Sequence, residues 1–304
     1  MEPLKEEFSS LIDNSLSKNT WHVYENALKS FEEFRGQYCL DQMWPPPLMH
    51  IINYIVFLSN KGYSAATAKS YISGISFKLK MHDMVDHTKS FVAQKLLTGM
   101  SKKYKSADLR HPITLSILRK IITVLPKVCN SQFEQVLFSS IFSLAFFGFL
   151  RIGEITDSGG VDHTIQIDDV QFDDNKNSVT VTIQSSKTDQ YGYNETLQVM
   201  KNSDRIVCPV KQLLAYLVIR PKIQGPVFCH LNHKSVTRFQ VSSILKSALS
   251  FNGYNPDHYN THSFRIGAAT TAALMGKTDD EIKLMGRWKS NTFRRYIRIK
   301  LLLE

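Results

Sequence analysis

Apolar residues recur every three or four positions early in the chain. Trp21, Tyr24, Leu28, Phe31 and Phe34 fall on one face of a helix, and residues 17–20 offer N-cap chemistry just ahead of it. The triple proline at 45–47 interrupts the pattern, because proline lacks the N–H a helix interior needs. Ile51, Ile52, Ile55 and Leu58 then resume the helical period as far as Gly62. Residues 64–67 start a further helix with Tyr71, Ile75 and Leu79 on one face. A last one, from about 89 to 103, carries Phe91, Leu96, Leu97 and Met100. Four or five short helices without strands predict a compact N-terminal bundle.

From Thr114 onward helices dominate again. The most apolar run, residues 136–150, is broken only by Ser139, Ser140 and Ser143. It is shorter than the ~20 residues that span a bilayer and ends on Arg151, which predicts a buried core helix with a charged end rather than a membrane segment. The period then changes. Residues 164–167, 179–183 and 195–199 alternate and are β-branched, with polar turns at 173–177 and 189–194. The predicted fold is mostly α with a small antiparallel β-sheet: a helical domain over 1–103, a basic linker over 104–112, and an α+β domain over 113–304.

Composition narrows the function. The chain of 304 residues is 43% hydrophobic and 21% charged, as a folded globular protein is. Its 37 Lys and Arg outnumber its 27 Asp and Glu, giving a net charge of +10 that favours a polyanionic partner. Residues 1–108 hold 13 basic and 11 acidic side chains, so most of the excess lies beyond them. The linker reads either as a solvated tether or as the hinge of a clamp around a rod-shaped polyanion. Cys39, Cys129, Cys208 and Cys229 are far apart with no CxxC pair, which excludes a finger-type zinc site and favours reduced, intracellular thiols. The acidic start of the chain has no apolar stretch of the secretory kind.

Four local patterns carry candidate chemistry. In the first, a long apolar segment delivers Arg151 beside Gly153, with Glu154 three positions on. Such an arginine is either paired with Glu154 or binds an anion, because an unpaired buried charge costs several kcal/mol. Lys187 lies in a predicted strand-tip turn, Ser185 to Asp189. His262 and Arg265 follow as a His-x-x-Arg pair, combining a titratable ring with a planar fork suited to phosphate. The last is Gly286-Arg287-Trp288-Lys289-Ser290, then Phe293-Arg294-Arg295-Tyr296-Ile297-Arg298, aromatics interleaved with positive charge. Each alone has a bland reading as surface or packing. There is no Asp/Glu cluster with two-metal spacing and no Gly-x-x-x-x-Gly-Lys, so neither a metal-dependent nuclease nor ATP use is expected.

Taken in order, Arg … Lys on a hairpin … His-x-x-Arg … Gly-Arg-Trp … Tyr resembles the tyrosine recombinase (phage integrase) superfamily along the whole chain, with wording similar to recombinases of eukaryotic mobile elements. The resemblance implies a SAM-like core-binding domain followed by a catalytic domain that cleaves and rejoins DNA through a 3′-phosphotyrosine, without metal or other cofactor. It implies Tyr296 as nucleophile, Arg151 and Arg265 on the non-bridging oxygens, and Lys187 as acid for the leaving 5′-oxygen. His262 would assist proton transfer and Glu154 would brace the site. Trp288 is assigned to the position before the nucleophile that the family fills with His or Trp. Arg287 lies nine residues before Tyr296 and Trp288 eight, so spacing leaves both open.

The expected partner is double-stranded DNA, bound by a homotetramer across two duplexes, with the free protein a monomer or weak oligomer. The activity would serve integration or excision of a mobile element. The alternatives are a non-catalytic domesticated DNA-binding protein and a type IB topoisomerase-like enzyme. The tail, Leu301 to Leu303, either docks on a neighbouring protomer, as in relatives, or packs on its own domain. Localisation would follow the substrate: nucleus in a eukaryote, cytoplasm in a bacterium.

Overall fold

The computed structural model describes residues 2–104, 108–157, 164–184 and 194–299. Lys187 with its turn, the tail 300–304, and residues 105–107 of the linker lie outside them. By internal contacts the chain divides into two compact units, Met1–Asp108 and Leu109–Glu304.

The first unit is all helix: α1 Glu2–Asn14, α2 Lys18–Gln37, α3 Leu48–Asn60, α4 Ala65–Met81 and α5 Phe91–Lys103. Serine hydroxyls start three of them. Ser17, Ser64 and Ser90 accept the backbone N–H of Thr20, Thr67 and Ala93, each worth about 1 kcal/mol to its helix. Phe31, Tyr54, Ile55, Ile75 and Leu97 meet in the core. Two features depart from the apolar pattern. α1 has no buried residue: its apolar row, Leu4, Phe8 and Leu11, is exposed. In α5 the inward face is Ala93, Leu97 and Met100, while Phe91, counted with that face in the sequence, is 75% exposed. Ser90 begins the helix there, and Lys95 covers the Phe91 ring at 5.1 Å.

The second unit wraps helices around one core. α6 Leu115–Val128 and α7 Gln132–Phe147 pack together, and α7 is buried without a break from Leu137 to Phe146. The short α8 Ile152–Ile155 follows directly. Then come β1 Val170–Phe172, β2 Ser178–Ile183 and β3 Glu195–Met200, an antiparallel sheet in the order β1-β2-β3. α9 Pro209–Ile219, α10 Arg238–Phe251, α11 Ser263–Leu274 and α12 Asp279–Met285 complete the unit.

The first strand is displaced from its expected place at 164–167. Asp169 accepts the Gln166 N–H at 2.8 Å and curls residues 167–169 into a 3-10 turn. Ile165 donates its N–H to Glu154 and accepts that of Val227, both at 2.9 Å, so its backbone serves other segments. Pairing with β2 begins only at Val170, opposite Val181.

The segment that leads into the second unit lies against α11. His111 N–H reaches the His258 carbonyl at 2.7 Å, and Ile113 N–H reaches that of Ser263 at 3.0 Å. The approach requires Gly267, where an added Cβ would fall 1.8 Å from the Ile113 oxygen. Gly267→Ala should therefore destabilise the protein by about 3 kcal/mol, because backbone rather than a flexible side chain must yield. Gly153→Ala, with nothing within 4 Å of the new carbon, should stay within about 1 kcal/mol of wild type. Urea unfolding of the two variants measures the contrast.

Candidate active site

The centre of the site is a buried carboxylate. The chain leaves α7 through Phe149, which adopts φ +48°, and Arg151 then caps α8. Glu154, in the first turn of α8, is 3% exposed. One oxygen accepts the Arg151 backbone N–H at 2.8 Å and the other accepts the Arg151 guanidinium at 3.0 Å. Arg287 arrives from the far end of the unit and donates to the same carboxylate at 2.9 and 3.3 Å. It also lies 3.7 Å from Glu195 at the start of β3. Burial alone would raise the Glu154 carboxyl, but the guanidiniums of Arg287 and Arg151 hold it below the ordinary carboxylate range.

Arg265 lies behind this pair. It projects from the first turn of α11 and is 1% exposed. Its fork donates to the carbonyl oxygens of Phe149 and Gly286, its Nε has no hydrogen-bond partner, and its guanidinium carbon sits 4.4 Å from the Trp288 ring centre. Burial, with the like charges of Arg151 and Arg287 nearby, pushes its pKa down to about 9. Among the described residues, Arg151 and Arg287 pair with Glu154 and Glu195 while Arg265 has no carboxylate contact, which leaves three guanidiniums against two carboxylates.

Aromatic rings cover the cluster. Tyr296 ends a 3-10 turn, Asn291–Tyr296, that Ser290 caps through the Thr292 N–H. Its ring centre lies 4.9 Å from that of His262 and 4.9 Å from that of Trp288, tilted to both. The Arg265 guanidinium carbon is 5.9 Å from it. His262 is the N-cap of α11, its own N–H held by the Asn260 side chain at 2.9 Å. Trp288 packs against Gly286, where an added Cβ would fall 1.7 Å from the indole, and meets Phe149 edge-on at 6.1 Å.

Of the sequence candidates, Arg151, Glu154, His262, Arg265, Trp288 and Tyr296 come together around this point, while Lys187 lies outside the described residues. Arg287 and Trp288 diverge. Arg287, at φ +54°, turns its side chain inward to Glu154 with 8% left exposed, whereas Trp288 lies against Tyr296. Glu195 and the Phe149 carbonyl are contributors that the sequence did not mark. Glu195 reads there only as the start of an alternating strand. Among the described residues no group of three or more His, Cys, Asp or Glu side chains could hold a metal ion, and no helix is long and apolar enough to cross a membrane.

No family model and no curated protein matches the sequence. Solved structures do match the fold. XerH site-specific recombinase, in a post-cleavage complex on palindromic difH substrate, aligns over 93% of this chain and 77% of its own, at 17% identity and a TM-score of 0.67. The Tn1549 transposon integrase in complex with transposon right end DNA aligns over 92% and 89%, at 13% identity and 0.63. A lambda integrase dimer bound to a core site aligns over 96% and 75%, at 15% identity and 0.60. The chain has the tyrosine recombinase fold, a helical bundle followed by a helical domain with a small antiparallel sheet.

Glu154→Gln should cost about 3–5 kcal/mol at neutral pH, since it leaves buried guanidiniums uncompensated. The carboxyl's folded-state pKa lies below its ordinary 4.5, so its stabilisation is full above that value and is lost as pH falls through the depressed one. The gap between wild type and variant should accordingly narrow below about pH 4.5, read from denaturant midpoints across pH 3–8.

Proposed function

We propose that the chain is a tyrosine site-specific DNA recombinase that cuts and rejoins DNA strands through a covalent 3′-phosphotyrosine. The observation that carries this reading is the Tyr296 ring in contact with both the His262 and the Trp288 rings, with the Arg265 guanidinium 5.9 Å from its centre. The fold supports it, because the aligned recombinase and integrases are described on their DNA sites.

The chemistry follows from the groups present. His262 takes the phenol proton as the Tyr296 oxygen attacks the scissile phosphorus. A bond from phosphorus to the tyrosine oxygen forms, the bond to the 5′-oxygen breaks, and Lys187 protonates the departing oxygen. Arg151, about a quarter exposed, offers its guanidinium to the non-bridging oxygens. For Arg265 to join it, the fork must exchange the carbonyls of Phe149 and Gly286 for phosphate oxygens. Glu154, itself bonded to Arg287, holds Arg151 in place. Phosphodiester energy is kept in the tyrosyl linkage, so a 5′-hydroxyl of another strand reverses the step without ATP. Strand exchange then places a tetramer on two duplexes, for integration or excision of a mobile element, wherever the DNA resides: nucleus in a eukaryote, cytoplasm in a bacterium.

A second reading, a DNA-binding protein without catalysis, is favoured by one observation: the Arg265 fork already bonds to backbone. Trapping separates the two. Incubation with a nicked duplex from the locus flanking the gene should give an SDS-resistant adduct at Tyr296. Tyr296→Phe should bind the same duplex with unchanged affinity and give none. Absence of any wild-type adduct on a tightly bound duplex would favour the non-catalytic reading.

The acid is tested separately. Lys187→Ala should slow cleavage by about 10²–10⁴-fold. A substrate with sulfur at the leaving 5′ position should recover most of that loss, because a thiolate departs without a proton. An uncorrected defect on the sulfur substrate would remove Lys187 from the acid's role.

A further inference from the structure

The nucleophile's ring touches the His262 and Trp288 rings, but a ring is aimed by its backbone. The backbone around Tyr296 is held by a residue outside the resemblance. Thr270 lies on α11, one turn beyond Arg265, and is fully buried. Its hydroxyl donates toward the Tyr296 carbonyl at 3.1 Å and the Ile266 carbonyl at 2.8 Å, two acceptors for a single proton. The same oxygen accepts the Arg298 N–H at 3.0 Å. One side chain therefore grips the chain on both sides of Ile297, immediately after the nucleophile.

Arg298 adds a second anchor. Its guanidinium donates to the Arg110 carbonyl at 2.8 Å and, more weakly, to the Arg295 carbonyl at 3.4 Å. Arg110 directly precedes the segment that Gly267 allows against α11. The Tyr296 backbone is thus pinned to the helix that carries His262 and Arg265, and to the strand of chain beside that helix.

We propose that Thr270 and Arg298 are positioning residues for the nucleophile: together they fix where the Tyr296 phenol stands relative to His262 and Arg265. This rests on the reading of Tyr296 as nucleophile. The phenol oxygen sits at the end of a long side chain, so a small backbone rotation moves it by a larger distance. Displacement by about 1 Å from an attack geometry can cost on the order of 100-fold in rate. A threonine that served only to fill space would be replaced equally well by valine, which has the same shape without the hydroxyl.

The test compares Thr270→Val, Thr270→Ser and Arg298→Met in the full chain, by single-turnover cleavage of a nicked duplex, duplex affinity, and amide exchange at Arg298. Thr270→Val should cleave about 10- to 100-fold more slowly with affinity within about two-fold of wild type. Thr270→Ser, which keeps the hydroxyl, should return the rate to within a few-fold. Arg298→Met should slow cleavage similarly, an arm that remains informative if the valine variant does not fold. Exchange of the Arg298 amide should quicken at least about ten-fold in Thr270→Val but not in Thr270→Ser, as expected when a single buried hydrogen bond is lost. Wild-type cleavage rates in both Thr270→Val and Arg298→Met, or equal loss in the valine and serine variants, would overturn the proposal. If wild type itself forms no adduct, the recombinase reading fails, and the amide exchange alone then decides whether Thr270 pins this backbone.

Discussion

The Glu154 carboxylate is the interaction on which the second unit's centre depends. A protein interior does not accept guanidiniums without compensation, since each buried ion carries a desolvation penalty of several kcal/mol. Glu154 meets Arg151 and Arg287 with three side-chain contacts and also accepts the Arg151 N–H, so α8, β3 and the loop after α12 are tied at one point. The compensation is incomplete. Burial, and then the like charges of Arg151 and Arg287, lower the proton affinity of Arg265, while its own hydrogen bonds reach only neutral carbonyls. An anion entering this cluster would relieve the repulsion among the three guanidiniums. The electrostatics prefer a negatively charged partner for reasons internal to the fold.

Backbone conformation makes that cluster reachable. Phe149 and Arg287 are both left-handed without being glycine, at φ +48° and +54°, and such residues carry a conformational cost that surrounding contacts must outweigh. Each turn serves the same end. Phe149 accepts Arg265 through its carbonyl, and Arg287 reaches Glu154 while its neighbour Trp288 remains outside against Tyr296. Gly286 permits the indole to lie directly on the chain. The aromatic cover and the charged floor are two faces of one short segment.

The amphipathic helices, the buried run of α7 and the alternating strands could be read from residue order because burial imposes a period on sequence. An apolar period does not by itself ensure burial: Leu4, Phe8 and Leu11 of α1, and Phe91 of α5, belong to apolar rows without entering the core. The first strand was misplaced because β-branched residues at 164–167 satisfy their backbone outside the sheet, a matter of tertiary partners rather than propensity. In the site, the ionic and aromatic residues were recognisable by type and order. Thr270 was not, since a buried threonine on a helix face ordinarily bonds only to the carbonyl one turn back, and it does that here as well.

Spacing alone leaves Arg287 and Trp288 equivalent, one residue apart before Tyr296. Charge burial distinguishes them. A buried guanidinium gains most from a carboxylate, and Glu154 is the buried one within reach of Arg287, which turns inward and is fixed there by two oxygens. Tryptophan has the opposite requirement, a large apolar face to cover and one N–H that tolerates water. It therefore takes the side facing Tyr296 and, with its π face over Arg265, adds a cation–π contact that shields the guanidinium from solvent. Exchanging the two residues would leave a charge without a partner beneath an exposed ring. The order Arg-Trp, rather than the presence of either residue, is what the geometry of this site requires.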